Sequence, residues 1–172
     1  MGLQLQDIDI CGYYPGVLGK ITEVHAVYYS ENWGFDFTFE TQVARELSEF
    51  IGDFDGNRDG LWVAIKAGRF AGAIAIDGRL AFDEGARLRW FIVVPEVRKT
   101  GIGRELISRA IQFCRRRCYP RVYLWTFKGL EDARRLYEAE NFVLSAEFEV
   151  AQWGQIIKEQ KYVLQIAYNE EG

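Results

Sequence analysis

The stretch ARLRWFIVVPEVRKTGIGRELISRAIQFC, residues 86–114, constrains the fold more than any other part of the chain. It alternates at first and becomes continuously apolar. It then crosses Pro95 and two closely spaced glycines, and repeats at Ile102, Leu106, Ala110, Phe113 and Cys114. The apolar run reads as a strand buried on both faces in the middle of a sheet. The later spacing reads as one apolar helix stripe with Arg109 and Arg116 opposite. A strand buried on both faces needs cover above and below, so helices must lie over the sheet.

The flanking segments supply those layers. From Pro15 to Tyr29, residues Val17, Leu18, Ile21, Val24 and Tyr28 form a helix face, with Lys20 and Glu23 outward and Asn32-Trp33-Gly34 as its stop. FETQVARELSEFI gives a second helix with Val43, Leu47, Phe50 and Ile51 inside and Gly52 beyond. LWVAIKAG and FAGAIAID read as strands around Gly68, and Asp77-Gly78 as a turn. RVYLWTF is a strand. EDARRLYEAE is a short helix with Glu131 and Asp132 at its positive end and expected pairs Glu131–Arg135 and Arg134–Glu138. FVLSAEFEVAQWG and EQKYVLQIAY read as two strands joined near Gly154. The predicted order is two helices, three strands, helix, strand, helix, two strands: an α+β layer structure with a mixed sheet.

At 172 residues, 49% of them hydrophobic, the chain fills one core, and a single domain over residues 1–172 is expected. A net charge of -4 with interleaved signs leaves no basic face for a nucleic-acid backbone. MGLQLQDIDI lacks the basic and apolar regions of a signal peptide, Gln6 does not fit a myristoylation motif, and no apolar run reaches a membrane span. A cytoplasmic protein without membrane or nucleic-acid partners is expected. Three cysteines in such a chain read as reduced thiols. Cys114 and Cys118 stand one helical turn apart, but with His25 as the only histidine they read as packing, and no metal is expected.

The junction itself carries Arg98, Lys99, Thr100, Gly101, Ile102, Gly103 and Arg104. Glycines there let a backbone approach a ligand closely, and the first amides of a helix lack intrahelical acceptors and converge on an anion. A pyrophosphate suits such a seat; a tight turn with no ligand is the plain alternative. The segment does not end in the Gly-Lys-Ser/Thr of a Walker loop, and Leu106 stands where a Rossmann fingerprint needs a small residue.

Arg98-Lys99-Thr100-Gly101-Ile102-Gly103, after an apolar strand ending in VP, resembles the Arg/Gln-x-x-Gly-x-Gly/Ala signature of the GNAT superfamily of acyl-CoA N-acyltransferases. ARRLYEAENF is similar to that family's second cofactor motif. YYSENWGFDFTFE, LRWFIVVP and LWT resemble the acetyltransferase half of bacterial MarR–GNAT fusion proteins, of which this chain is expected to be a stand-alone version. The resemblance implies a GNAT-like three-layer fold, a central mixed and mostly antiparallel sheet flanked by helices. It implies acetyl-CoA as cosubstrate, no metal, and transfer of acetyl to a primary amine by direct attack in a ternary complex. The amine would be a small molecule or peptide, and a homodimer is possible. A non-catalytic acyl-CoA sensor of the same fold stays open as the alternative.

By the same resemblance, backbone groups of Phe91, Ile92 and Val93 hold the pantetheine arm, adding it as a strand. The amides from Lys99 to Arg104 hold the pyrophosphate, and Tyr137 protonates the departing thiolate. Two departures stand out: Leu130 replaces an asparagine common in the family, and Asn141-Phe142 replaces Gly-Phe. The central strand also lacks the carboxylate that several relatives use as a base, since it offers Arg87 and Arg89 instead. Candidate bases are Glu40 first, then Asp36, His25, Glu147 and Glu149, because an ammonium must lose a proton before it attacks. Tyr28, Trp33, Phe35, Trp90 and Arg89 are candidates for the acceptor pocket, with ordinary core as the alternative for the aromatics.

Overall fold

The structure is a computed structural model that describes residues 7–166. Expectations about residues 1–6, and the end of the strand predicted over 159–168, lie outside the described residues. The elements are β1 (Ile8–Cys11), α1 (Val17–Trp33), α2 (Phe37–Gly52), β2 (Gly60–Lys66), β3 (Arg69–Asp77) and β4 (Ala86–Val93). After a 3-10 turn (Pro95–Val97) come α3 (Ile102–Arg116), β5 (Arg121–Phe127), α4 (Glu131–Ala139), β6 (Val143–Gln152) and β7 (Gln155–Gln165). They form one seven-stranded sheet in the order β1-β2-β3-β4-β5-β7-β6. Every neighbouring pair is antiparallel except β4 and β5. The mixed, mostly antiparallel sheet flanked by helices is the expected fold.

Two differences from the sequence reading have simple causes. β1 escaped notice because a four-residue edge strand, IDIC, carries too little periodicity to register. β7 starts at Gln155 because the hairpin before it is tight: Trp153 and Gly154 both take left-handed backbone, φ 53 and 76, and Gln152 pairs directly with Gln155. Two left-handed central residues make the turn whose twist matches paired strands. On α4, Arg134 pairs with both Glu131 (2.5 Å) and Glu138 (3.0 Å), while Arg135 stands 4.0 Å from Asp132. The expected Glu131–Arg135 pair is therefore replaced by a closer i,i+3 neighbour.

The core lies on both sheet faces. α3 buries Ile102, Leu106, Ile107, Ala110, Ile111, Phe113 and Cys114 against one face, with Ile74, Leu88, Val122, Tyr162 and Leu164 from the strands. Burial drives the Cys114 thiol up to about 12, so it behaves as a packed apolar group. On the other face α1 and α2 place Val17, Ile21, Leu47 and Phe50 over Val63, Ala73 and Ala75. Asp36 caps α2, accepting from the Thr38 amide at 3.0 Å, a bond worth about 1 kcal/mol.

The sheet is split at its centre. β4 and β5 pair only at Ala86–Val122 and Arg87–Tyr123, then part. On the other side of β4, the register with β3 slips between Ala73–Ile92 and Ala75–Arg89, so that one β3 residue opposes two on β4. Trp90, with φ 47, sits in this bulge. A bulge bends and twists its own strand, which carries β4 away from β5.

Candidate active site

The split opens into a cavity of about 930 Å³ between β4, β5, α1, α2, α4 and the turn before α3. Its first end is built on backbone. Lys99 and Gly101 are left-handed, φ 60 and 93, and α3 begins with no side-chain cap. The Glu105 amide donates to Gly101 O at 3.0 Å as the first bond of the helix, so the amides of Ile102, Gly103 and Arg104 have no intrahelical acceptor. Gly103 is needed for space: an added Cβ would stand 3.0 Å from Leu136 Cδ1 and 3.5 Å from Phe91 Cζ. Lys99 and Arg104 line the cavity and form no ion pair or hydrogen bond among the described residues. Free cations beside free amides suit a pyrophosphate.

Of the residues singled out by sequence at this end, Phe91, Ile92, Val93, Arg98, Lys99, Gly101, Gly103 and Arg104 line the cavity, whereas Thr100 and Ile102 do not. The Thr100 hydroxyl donates to Val97 O at 2.5 Å, and the Ile102 side chain is core, so both contribute through the main chain alone. Arg98 is already engaged. Its Nε donates to Val93 O and one Nη to the Tyr28 hydroxyl, each at 3.0 Å, with the guanidinium 4.4 Å from the Tyr28 ring centroid.

At mid-cavity Tyr137 is 5% exposed, among the rings of Phe91, Phe142 and Tyr162 at 6.0, 5.9 and 6.2 Å. Its hydroxyl has no partner among the described residues. Burial, with a smaller push from Tyr29, holds the phenol well above its ordinary value. It stays protonated and can donate. Asn141 takes the left-handed backbone, φ 69, that usually calls for glycine, which accounts for the Asn-Phe departure. Leu130 holds the N-cap position of α4 and gives it no side-chain bond.

The second end is made of side chains. Tyr28, Trp33 and Arg89 line it as expected; Phe35 does not, because its ring is 3% exposed and buried among Phe39, Phe127 and Trp153. Glu40 also lies outside. α2 presents Phe39, Gln42, Val43 and Glu46, spaced by three and four along one face, while Glu40 is exposed a fraction of a turn away. The other base candidates are also placed. Asp36 is a cap, Glu147 accepts from Gln160 at 2.6 Å outside the cavity, and Glu149 is exposed outside it. His25 lines the cavity but is buried, with Nδ1 bonded to Ile21 O at 2.8 Å and burial lowering its pKa to about 4.

The sequence reading missed Glu159, Gln152, Trp125 and Trp153, all cavity-lining. Trp153 Nε1 donates to Gln42 Oε1 at 2.9 Å, and the Asp36 amide donates to Trp153 O at 3.0 Å, so the β6–β7 hairpin is fastened to the α1–α2 junction as the far wall. Glu46 pairs with Arg89, which also reaches Asp77 at 3.6 Å. Glu131 and Asp132 are occupied by arginines of their own helix. Among the described residues, Glu159 alone of the lining carboxylates has no ion pair or hydrogen bond, and burial raises its pKa. Alternation along β7 hid it, since nothing in one strand says which face meets a cavity.

Comparison with known proteins agrees with this geometry. A search of curated proteins found no sequence match. The acetyltransferase (GNAT) family model matches residues 20–142. An acetyltransferase from Streptococcus agalactiae superposes with TM-score 0.75 at 18% identity, over 94% of this chain and 100% of that one. The yncA structure from Salmonella typhimurium, determined with its cofactor acetyl-CoA, gives TM-score 0.73 at 15% identity over 96% and 98%. The ribosomal-protein-S18-alanine N-acetyltransferase of Escherichia coli gives 0.69 at 16% over 96% and 97%. The family match covers most of the chain and settles the class: this chain is a member of the GNAT family of acetyltransferases.

Proposed function

We propose that the protein transfers an acetyl group from acetyl-CoA to a primary amine by direct attack within a ternary complex, in the cytoplasm. The observation that carries this is the parting of β4 from β5 beside the uncapped start of α3. The edge of β4 at Phe91–Val93, which β5 leaves unpaired, suits the pantetheine arm, and the Lys99–Arg104 turn suits the pyrophosphate. Acetyl-CoA supplies an activated thioester. No cysteine lines the cavity among the described residues, which favours attack by the amine itself over a thiol relay. As the C–N bond forms and the C–S bond breaks, Glu159 takes the proton lost by nitrogen and Tyr137 donates to the leaving sulfur. A carboxylate raised by burial makes a stronger base than an ordinary one. The motifs YYSENWGFDFTFE, LRWFIVVP and LWT support a kinship with the acetyltransferase half of MarR–GNAT fusion proteins.

Release of CoA thiol from acetyl-CoA against a panel of amines tests this. Intersecting initial-rate lines are expected, and parallel lines would overturn direct attack. Tyr137→Phe is expected to lower kcat about 100-fold with acetyl-CoA affinity retained, in line with one lost proton donor. Unchanged turnover assigns Tyr137 to the core.

A further inference from the structure

The second end of the cavity holds four charged side chains from three walls: Glu46 on α2, Arg87 and Arg89 on β4, and Glu159 on β7. Glu46 and Arg89 neutralise each other. Arg87 and Glu159 do not meet. Neither has an ion pair or hydrogen bond among the described residues, although each lies within the other's field. Other groups near Arg87 are engaged or neutral: Asp77 is taken by Arg79 at 2.6 Å and by Arg89, and Tyr123 is a phenol raised by burial. Lys161 stands outside the cavity over the rings of Tyr123 and Trp125, at 4.8 and 5.6 Å.

Opposite charges that share a chamber without touching leave room for a molecule carrying both signs. Arg87 stands opposite Tyr123 and Glu159 opposite Phe127, two strands apart in the sheet. That separates their backbones by about 13 Å along β5 and about 10 Å across it. A long arginine and a glutamate reaching inward narrow this to the span of one small molecule. Beyond Glu159, toward the β6–β7 hairpin, the cavity-lining Gln152 carries an Oε1 that is buried without a hydrogen-bond partner among the described residues. An amine N–H would satisfy it.

Building on the acetyl-transfer reading above, we propose that the acceptor is a small amino acid. Its carboxylate is held by the Arg87 guanidinium at the root of the β4–β5 split, and its amine is received by Glu159 and Gln152 toward the β6–β7 hairpin. Arginine suits this role because its planar fork meets a carboxylate with two parallel bonds. Trp125 and Trp153 then flank the remainder of the molecule as apolar walls.

The test compares the free L-amino acids, their carboxamides, and dipeptides whose carboxylate lies farther from the amine. Each is assayed for acetylation and, separately, for its shift of the melting temperature in the presence of CoA. For the preferred side chain, the free acid is expected to exceed its carboxamide about 10- to 100-fold in kcat/KM, the range of one charge-assisted contact. Arg87→Gln should collapse that ratio through KM, and Arg87→Lys should restore part of it. Glu40→Gln, outside the cavity, should leave the ratio as it is. Equal use of acid and carboxamide, equal use of dipeptides, or a ratio that survives Arg87→Gln overturns the proposal while acetyl transfer stands. Conversely, Arg87-dependent binding of the free acid without turnover upholds the proposal and overturns the acetyl-transfer reading. If no acid shifts the melting temperature or is acetylated, the proposal fails outright.

Discussion

The two ends of the cavity are built on opposite plans. The end beside α3 is mainly main chain: amides without intrahelical acceptors and a left-handed glycine, with two cations, Lys99 and Arg104, that have no side-chain partner among the described residues. The end beside the β6–β7 hairpin is side chain: an Arg89–Glu46 pair, a Gln42–Trp153 bond, a wall of rings. A backbone seat depends on where glycines can stand, so it is written locally in consecutive residues. A side-chain chamber depends on six elements arriving together: α1, α2, β4, β5, β6 and β7. The first plan suits a ligand shared by a whole family, the second a ligand peculiar to one member.

The contrast can be broken most severely at Gly103. Gly103→Asp puts a carboxylate against the anion seat and a Cβ against Leu136, and is expected to abolish the rise in melting temperature that acetyl-CoA gives by mass action, a loss above 100-fold in affinity. A folded variant that still binds normally would move the seat elsewhere.

At the other end, Glu159→Gln is expected to lower kcat about 100-fold near neutral pH with acetyl-CoA affinity retained. In the parent, activity is expected to rise with pH as Glu159 ionises, at a pKa that burial lifts above its ordinary value. The variant lacks that limb, and its defect shrinks as pH nears the amine's own pKa, where no base is needed. Glu40→Gln should match the parent throughout. The reverse result would restore Glu40 as the base.

The smallest effect is on stability. His25 is folded with a pKa of about 4, below its ordinary 6.5, so it contributes fully above pH 6.5. As pH falls from there toward 4, the unfolded chain takes up a proton that the folded chain refuses. By pH 5 this costs about 2 kcal/mol. Urea unfolding of His25→Asn at pH 7 and pH 5 should show a correspondingly flatter pH dependence. An identical slope would mean that the imidazole titrates alike in both states.

The same division explains what could be read in advance. β5 was legible to the residue, because RVYLWTF is bounded by a proline before and a glycine turn after. The Lys99–Gly103 turn was legible because its requirements are local. Sequence points to Glu40 on α2 while the cavity meets Glu46, because a helix's period is visible in sequence and its rotation toward a distant cavity is not. Glu159 could not be found because its importance rests on its neighbours: Arg87 lies 72 positions earlier, and only the sheet order β4-β5-β7 brings them near.

Arg98 belongs to both ends. Its guanidinium sits in the anion seat's loop, yet one of its hydrogen bonds and its flat face are given to Tyr28, a residue of the helix that walls the second end of the cavity. An anion that draws this guanidinium toward itself must loosen Tyr28, and an acceptor that fixes Tyr28 must hold the guanidinium back or release it. The two binding events thus share one side chain, and their influence on each other is equal in both directions. Whatever factor acetyl-CoA imposes on acceptor affinity, the acceptor returns to acetyl-CoA.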